Sequence, residues 1–136
     1  MAMGEATQPE VTTMTLFDQP ILFLATADPI RSRSFYEDVL GLTFVADEPR
    51  ALVFDVAGTQ LRIQKVEELS EVRYTVLGWT VEDIREAMTE LVQRGVTFEQ
   101  YEFLPQDENG VWETPAGVKV AWFTDPDGNT LSLTEV

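Results

Sequence analysis

The chain has 136 residues, of which 44% are hydrophobic, and a formal net charge of −15 at pH 7. This length suits one domain with one core, because smaller units bury too little surface to be stable alone. The negative charge repels nucleic-acid phosphates and argues against a DNA- or RNA-binding role. Cysteine and histidine are both absent. Their absence excludes disulfides and thiol nucleophiles and removes the commonest metal ligand and the usual general base near neutral pH.

The start of the chain is polar. Residues 1–18 show no clear periodicity, and we expect them to form a mobile tail ahead of a single domain over residues 19–136. Met1–Thr15 lacks the basic start and apolar middle of a secretory signal. No apolar run approaches the roughly 20 residues of a membrane span. We therefore expect a cytoplasmic protein without membrane or nucleic-acid partners.

The first half of the domain, about residues 19–68, predicts one helix between strands. Ile21–Thr26 is a continuous apolar run typical of a buried strand. Asp28 is a good helix N-cap, Pro29 fits the first helical position, and Gly41 can take the left-handed conformation that ends a helix. Further strands are predicted near residues 42–45, 51–56 and 60–66.

The second half, about residues 72–136, repeats this order with an insertion. A strand over residues 74–81 leads to a helix capped by Glu82 or Asp83. Apolar residues of this helix recur at the spacing of a core-facing surface: Ile84, Ala87, Met88, Leu91 and Val92. Strands are predicted over residues 96–100, 119–124 and 129–134. The insertion lies mostly in residues 101–117, which we predict to be a loop or lid.

The repeated order predicts the fold class. Each half is a β-α-β-β-β module, and duplication of such a unit constrains the architecture strongly. We predict an α+β fold in which the two modules form a cupped, eight-stranded half-barrel with the helices outside.

Three segments carry a resemblance to a known family: 28–42, containing Phe35-Tyr36-Glu37-Asp38-Val39-Leu40-Gly41; 79–84; and 123–131, containing Asp125-Pro126-Asp127-Gly128-Asn129. In these segments the chain resembles the vicinal oxygen chelate superfamily, which comprises glyoxalases, bleomycin-resistance proteins and extradiol dioxygenases. The resemblance supports the predicted fold. It leaves the chemistry open, because the family includes enzymes and non-catalytic drug binders.

The resemblance also predicts where a metal would be bound. Metal-dependent members take one ligand from each of four equivalent strands, and those positions are here Ile21, Arg62, Val76 and Ser132. Neither aliphatic residue has a donor atom, an arginine cannot bind a metal, and a serine is a poor ligand. If the assigned ligand positions are shifted by one residue, they become Leu22, Ile63, Thr75 and Leu133, which are no better as metal ligands. We therefore predict no metal and no other cofactor.

Strand alternation predicts which side chains face the cup. On the parity of the ligand positions, the ligand-binding candidates on strands are Ile21, Phe23, Gln60, Arg62, Gln64, Val76 and Ser132. The opposite parity is uniformly apolar and should pack under the helices. A surface with an apolar patch, neutral hydrogen-bonding groups and one arginine suits a small organic molecule.

Arg62 is the most distinctive of these residues. Its guanidinium can clamp a carboxylate, enolate or phosphate of a ligand through two parallel hydrogen bonds. Alternatively, it forms an internal ion pair with Asp55 or Glu113. The catalytic candidates are Arg62 and these two carboxylates, either of which could act as a general base if buried beside the guanidinium.

Two tryptophans complete the predicted site. Trp112 lies in the insertion and could cover a flat ligand, and Trp122 lies within a predicted strand. Large aromatic rings stack well on planar or cationic groups. The alternative for both residues is ordinary packing.

Two functions remain open. The first is metal-free binding of a small, planar organic molecule, with drug sequestration as one form. The second is a cofactor-independent isomerase or lyase in which Arg62 replaces the metal as electrophile. A metalloenzyme with displaced ligands is a remote third. Because members of the family commonly pair, we expect a homodimer.

Overall fold

The computed structural model describes residues 16–136, so residues 1–15 of the predicted tail lie outside the described residues. The first module contains β1 (Ile21–Thr26), α1 (Pro29–Ser34) continued by a π-helical segment (Phe35–Val39), β2 (Thr43–Asp47), β3 (Ala51–Val56) and β4 (Thr59–Lys65). The second contains β5 (Thr75–Thr80), α2 (Ile84–Gln93), β6 (Trp112–Glu113), β7 (Lys119–Thr124) and β8 (Thr130–Glu135).

Each module forms one four-stranded sheet with the same topology. The strand orders are β1-β4-β3-β2 and β5-β8-β7-β6, so the first strand of each module is an edge strand. It pairs parallel with the last strand of its module, and the other pairings are antiparallel. The repeated order confirms the α+β fold of two β-α-β-β-β modules with cupped sheets.

The helix boundaries follow from local chemistry. The Asp28 carboxylate accepts the Arg31 N–H at 3.2 Å, and the Asp83 carboxylate accepts the Glu86 N–H at 3.1 Å. Each bond satisfies a backbone donor that has no partner within its helix. Gly41 follows the first helical segment with φ of 73°, a conformation that glycine adopts without strain.

One predicted strand is not formed as expected. Residues 96–100 make only an isolated bridge between Phe98 and Phe123, and the fourth strand is instead Trp112–Glu113, inside the predicted loop. After Glu99 the chain leaves the sheet and enters the insertion, where backbone groups hydrogen-bond to one another. Within it, the N–H of Asp107 donates to the carbonyl of Val111 at 2.9 Å.

The two modules share one core. Side chains from the inner faces of both sheets and from both helices form a single buried cluster, which includes Leu24, Tyr36, Leu61, Ile84, Phe123 and Leu131. The helices therefore lie on the face opposite the cup, as predicted, and both cup faces point away from the shared core. No helix among residues 16–136 is long and apolar enough to cross a membrane.

A buried polar contact joins the modules. Tyr36 is 0% exposed, and its hydroxyl donates to Asp125 Oδ2 at 2.6 Å. The Asn129 amide donates both to the same carboxylate and to the carbonyl of Ala25, at 2.8 and 3.0 Å. The Asp-Pro-Asp-Gly-Asn turn of the second module is thereby fixed against β1 and the helical segment of the first.

Candidate functional site

The cup face of the first module carries the side chains that alternation placed there. In the parallel register of β1 and β4, Ile21 lies beside Gln60, Phe23 beside Arg62 and Ala25 beside Gln64. Ile21 and Phe23 remain 45% and 53% exposed. The first module therefore presents an open, apolar edge on its cup face.

Arg62 forms an internal ion pair, but not with the predicted acids. Its guanidinium donates to Glu48 at 2.7 Å and to Gln60 at 3.0 Å. Asp55 lies exposed on β3, and Glu113 lies on the other sheet. The expectation of Asp55 or Glu113 as partner is therefore wrong. The long side chain passes its neighbour on β3 and reaches the β2–β3 turn, a contact that strand alternation does not encode.

In the second module a β-bulge changes one predicted position. Thr75 pairs with Thr130 and Leu77 with Leu131, so Val76 is an extra residue without a partner on β8. Val76 packs against the core, and the expectation that it faces the cup is wrong. Thr75 takes its place on the cup face.

Thr75 fixes the central aromatic residue of this face. The indole Nε1–H of Trp122 donates to Thr75 Oγ1 at 3.0 Å. Trp122 is on β7 and Thr75 on β5, so the indole crosses β8, where Ser132 lies beside Trp122 in register. Ser132 is consequently buried. Thr75 was missed as a site residue because the bulge leaves no signal in the alternation of the sequence.

Four aromatic side chains form a continuous row on this side of the molecule. Trp112 stacks on Trp122 at 6.2 Å between ring centroids, and Tyr101 meets Trp122 edge-on at 5.6 Å. Phe103 stacks on Tyr101 at 5.4 Å and is largely exposed. We call Trp112, Trp122, Tyr101 and Phe103 the aromatic row. Trp112 thus packs beside Trp122 in the row and is not a separate lid.

A cavity of about 680 Å³ opens beside the aromatic row. Its volume is in the range of sites for small organic molecules. Residues of three segments line it: Glu71–Thr75 before and at the start of β5; Glu99, Tyr101, Phe103 and Leu104 of the insertion; and Trp122, Thr124, Gly128 and Thr130 of the last hairpin. We call this the aromatic cavity.

The amide of Gln106 holds the insertion beside the aromatic cavity. Its Oε1 accepts the Tyr101 N–H at 2.6 Å, and its Nε2 donates to the carbonyls of Glu99 and Gly110 at 3.0 and 2.7 Å. Gly110 has φ of 98°, and a Cβ there would lie 3.2 Å from the Glu99 carbonyl oxygen. The side chain of one residue thus sets the positions of two residues that line the cavity.

Asp107 ties the insertion to helix α2. Its carboxylate accepts the Val111 N–H at 3.0 Å and the Arg85 guanidinium at 2.6 Å. Partial desolvation acts to raise the pKa of Asp107, but these hydrogen bonds outweigh it and lower that pKa below its usual value. In Tyr101, partial burial and then the negative charge of Glu99 raise the pKa of the phenol.

A second cavity of about 630 Å³ lies on the helix side, between α2 and the insertion. Met88, Val96 and Phe98 line it, but its wall lacks the aromatic row. A third, apolar cavity of about 320 Å³ lies where the modules meet, beside Trp79. Of these three cavities in the described part of the chain, the aromatic cavity combines stacked rings with charged and hydrogen-bonding groups.

The residues at the family's metal positions do not fit a divalent ion. Ile21 offers no donor, the cation of Arg62 repels one, and the side chain of Val76 packs in the core. Among residues 16–136, no three Asp or Glu side chains come together in a group that could hold a metal. The site can therefore bind by stacking, hydrogen bonding and charge.

The comparisons with known proteins agree with this architecture. The family model of the glyoxalase/bleomycin resistance protein/dioxygenase superfamily matches residues 18–133. No curated protein matches the chain.

Several solved structures share the fold. A member of the same superfamily from Sphaerobacter thermophilus is 25% identical, with a TM-score of 0.68 over 89% of this chain and 98% of its own. A lactoylglutathione lyase from Agrobacterium tumefaciens is 17% identical, with a TM-score of 0.67 over 90% of this chain and 95% of its own. A superfamily protein from Alicyclobacillus acidocaldarius is 21% identical, with a TM-score of 0.62 over 87% and 90%.

Proposed function

The chain belongs to the glyoxalase/bleomycin resistance protein/dioxygenase superfamily, and we propose that it is a metal-free member that binds a small planar organic molecule in the aromatic cavity. The observation that carries this proposal is Trp122, held by Thr75 with its indole beside a cavity of about 680 Å³. A ring that is already fixed loses little freedom when a flat molecule stacks on it.

The chemistry of the cavity supports binding more than turnover. Its wall offers aromatic faces and threonine hydroxyls, which favour a flat molecule with a few polar atoms. Histidine and cysteine are absent from the sequence, so the commonest acid–base and nucleophilic groups are missing. Sequestration of a drug-like molecule is the simplest function of such a site.

A second candidate function is a cofactor-independent isomerase or lyase. The observation that favours it is the pairing of Arg62 with the Glu48 carboxylate at 2.7 Å, which places a fixed cation beside an acid. An arginine can stabilise an enolate, and a carboxylate can act as its base. Against this function, the guanidinium is already engaged by Glu48 and Gln60.

We further propose that the chain forms a homodimer through its sheet edges. Strands β1 and β5 are edge strands, and β1 exposes Ile21 and Phe23. Unpaired strand edges with exposed apolar side chains favour association with another chain. Joining β1 of one copy to β5 of the next would make an eight-stranded cup. Sedimentation equilibrium tests this, with Phe23→Glu expected to yield monomers.

Fluorescence titration with a panel of planar organic molecules tests the leading function. Replacement of Trp122 by Leu should weaken binding of any molecule that the protein takes up by at least about tenfold, which corresponds to about 1.4 kcal/mol. Phe17→Leu is the control, because Phe17 is an exposed aromatic residue outside the cavity. Equal affinity of both variants would contradict the proposal. If the wild-type protein converts a ligand and this conversion stops in Arg62→Met, the result favours the isomerase or lyase function instead.

A further inference from the structure

The charge on the wall of the aromatic cavity is uneven. Three charged side chains line it: Glu71, Arg73 and Glu99. The first two form a salt bridge with each other at 3.1 Å and are largely exposed. Among residues 16–136, Glu99 takes part in no salt bridge within 4.0 Å. Within the described part of the chain, the carboxylate of Glu99 on the wall therefore has no cationic side chain paired with it.

Backbone geometry directs Glu99 towards the aromatic row. Phe98 bridges to Phe123 and packs against the core, so the next residue points to the opposite, cup-side face. The Glu99 N–H donates to the carbonyl of Trp122 at 2.8 Å, which ties the two residues side by side. Tyr101, in the insertion that follows, meets the same Trp122 edge-on at 5.6 Å between ring centroids.

Gln106 keeps this arrangement in place. Its amide binds the carbonyl of Glu99 and the N–H of Tyr101 at 3.0 and 2.6 Å. The backbone that carries the Glu99 carboxylate and the Tyr101 ring is therefore held by one side chain before any ligand arrives. A binding site whose groups are fixed in advance spends less free energy on ordering them.

We propose that the aromatic cavity selects planar cations, with the carboxylate of Glu99 as the counter-charge and Trp122 and Tyr101 as the stacking surface. This inference rests on the proposed function, because it names the ligand class of the same site. A delocalised cation gains from the electron-rich faces of the rings and from the carboxylate at once. The net charge of −15 adds a long-range attraction for cations and repels planar anions.

A pair of probes that differ in charge tests the proposal. N-methylacridinium is a permanent planar cation, and acridine above its own pKa is a neutral molecule of nearly the same shape. Wild-type protein should bind the cation about tenfold or more tightly than the neutral probe. Added salt should narrow that difference, because it screens the attraction between the ligand and the partly exposed carboxylate.

Matched variants separate a local effect from that of net charge. Glu99→Gln should weaken binding of the cation about five- to tenfold and leave the neutral probe unchanged. Glu102→Gln removes the same charge from an exposed position of the same loop that does not line the cavity, and should change affinity less than about twofold. Equal effects of the two variants, or equal binding of the two probes, would overturn the cation preference.

The same variants distinguish failure of the proposed function from failure of the cation preference. If Trp122→Leu and Tyr101→Leu both leave the affinity for both probes unchanged, the aromatic cavity is not the binding site and the proposed function is wrong. If both variants weaken both probes while Glu99→Gln has no effect, the cavity binds planar molecules and only the cation preference is wrong.

Discussion

The indole of Trp122 spans a strand to reach the hydroxyl of Thr75, 47 residues away in the sequence, at 3.0 Å. This bond exists because a bulge at Val76 turns Thr75 to the cup face. The bond fixes the indole over β8, where it also packs against the Tyr101 ring in a T-shaped arrangement. A local irregularity of an edge strand thereby organises the cavity that we propose as the binding site.

Thr75→Val tests this relationship. Valine has nearly the same shape but no acceptor, so the Trp122 indole should lose its fixed orientation. Because the pair is exposed, the loss in stability should be only about 0.5–1 kcal/mol, whereas the Trp122 indole N–H signal in an NMR spectrum should move towards that of a solvated indole. Thr80→Val, on the same face of the same strand, is the control. An unchanged Trp122 signal would contradict the hydrogen bond.

Gly78 lies opposite Ser132, and any side chain there should collide with it. A Cβ at Gly78 would lie 2.3 Å from Ser132 Oγ, so Gly78→Ala should reduce the free energy of unfolding by about 1–3 kcal/mol. The double variant Gly78→Ala/Ser132→Ala should recover part of that loss, because the nearest atom has been removed. Urea denaturation of the wild type, Gly78→Ala, Ser132→Ala and the double variant measures the coupling energy between the two positions. Additive effects would show that the clash is not with the serine hydroxyl.

Because of Tyr36, the free energy of unfolding should decrease at alkaline pH. Burial first, and then the charge and hydrogen bond of Asp125, raise the pKa of Tyr36 far above the ordinary tyrosine value of 10.0. The unfolded chain therefore loses this proton before the folded one does. Stability is fully present below pH 10.0 and should fall by up to about 1.4 kcal/mol per pH unit above it.

Tyr36→Phe should remove this alkaline slope and cost about 1.5–3 kcal/mol near neutral pH, since the buried carboxylate of Asp125 loses a donor. Tyr74→Phe is the control, because Tyr74 is exposed. Chemical denaturation at a series of pH values provides both readouts. A Tyr36→Phe protein with the full wild-type slope would contradict the assignment.

Gln106→Glu tests the anchor of the insertion. A glutamate keeps an acceptor for the Tyr101 N–H but cannot donate to the Glu99 and Gly110 carbonyls, so oxygen atoms would face each other. We expect a loss of about 1–3 kcal/mol in stability and a changed fluorescence of the neighbouring Trp122. Gln93→Glu, at an exposed position of α2, adds the same charge as a control. If the two variants have the same stability and the same Trp122 fluorescence, Gln106 does not anchor the insertion.

The features that the sequence predicts well are those that depend on local chemistry and on repetition. Asp28 caps the first helix as expected, Asp83 rather than Glu82 caps the second, and both modules have the predicted β-α-β-β-β order of elements. The family resemblance, based on the helix end at Gly41 and the turn at Asp125, is confirmed by the match over residues 18–133.

The features that the sequence did not predict depend on irregular backbone geometry and on the reach of long side chains. Alternation assigned Val76 to the cup, but a bulge is invisible to a period of two. Arg62 was given the wrong partner, because its reach to Glu48 depends on how the β2–β3 turn folds. Tyr101 and Phe103 join the aromatic row through a loop whose path is set by Gln106, and no periodic pattern describes that path.

Trp122 and Trp79 line different cavities, so the indole signals of the protein provide the most direct test of ligand binding beside Trp122. Trp122 lines the aromatic cavity and stacks with Trp112, whereas Trp79 lines the apolar cavity between the modules. In an NMR titration with N-methylacridinium, the indole N–H signals of Trp122 and Trp112 should shift together while that of Trp79 stays in place. Shifts confined to Trp79, or saturable binding without a change at Trp122, would contradict the account.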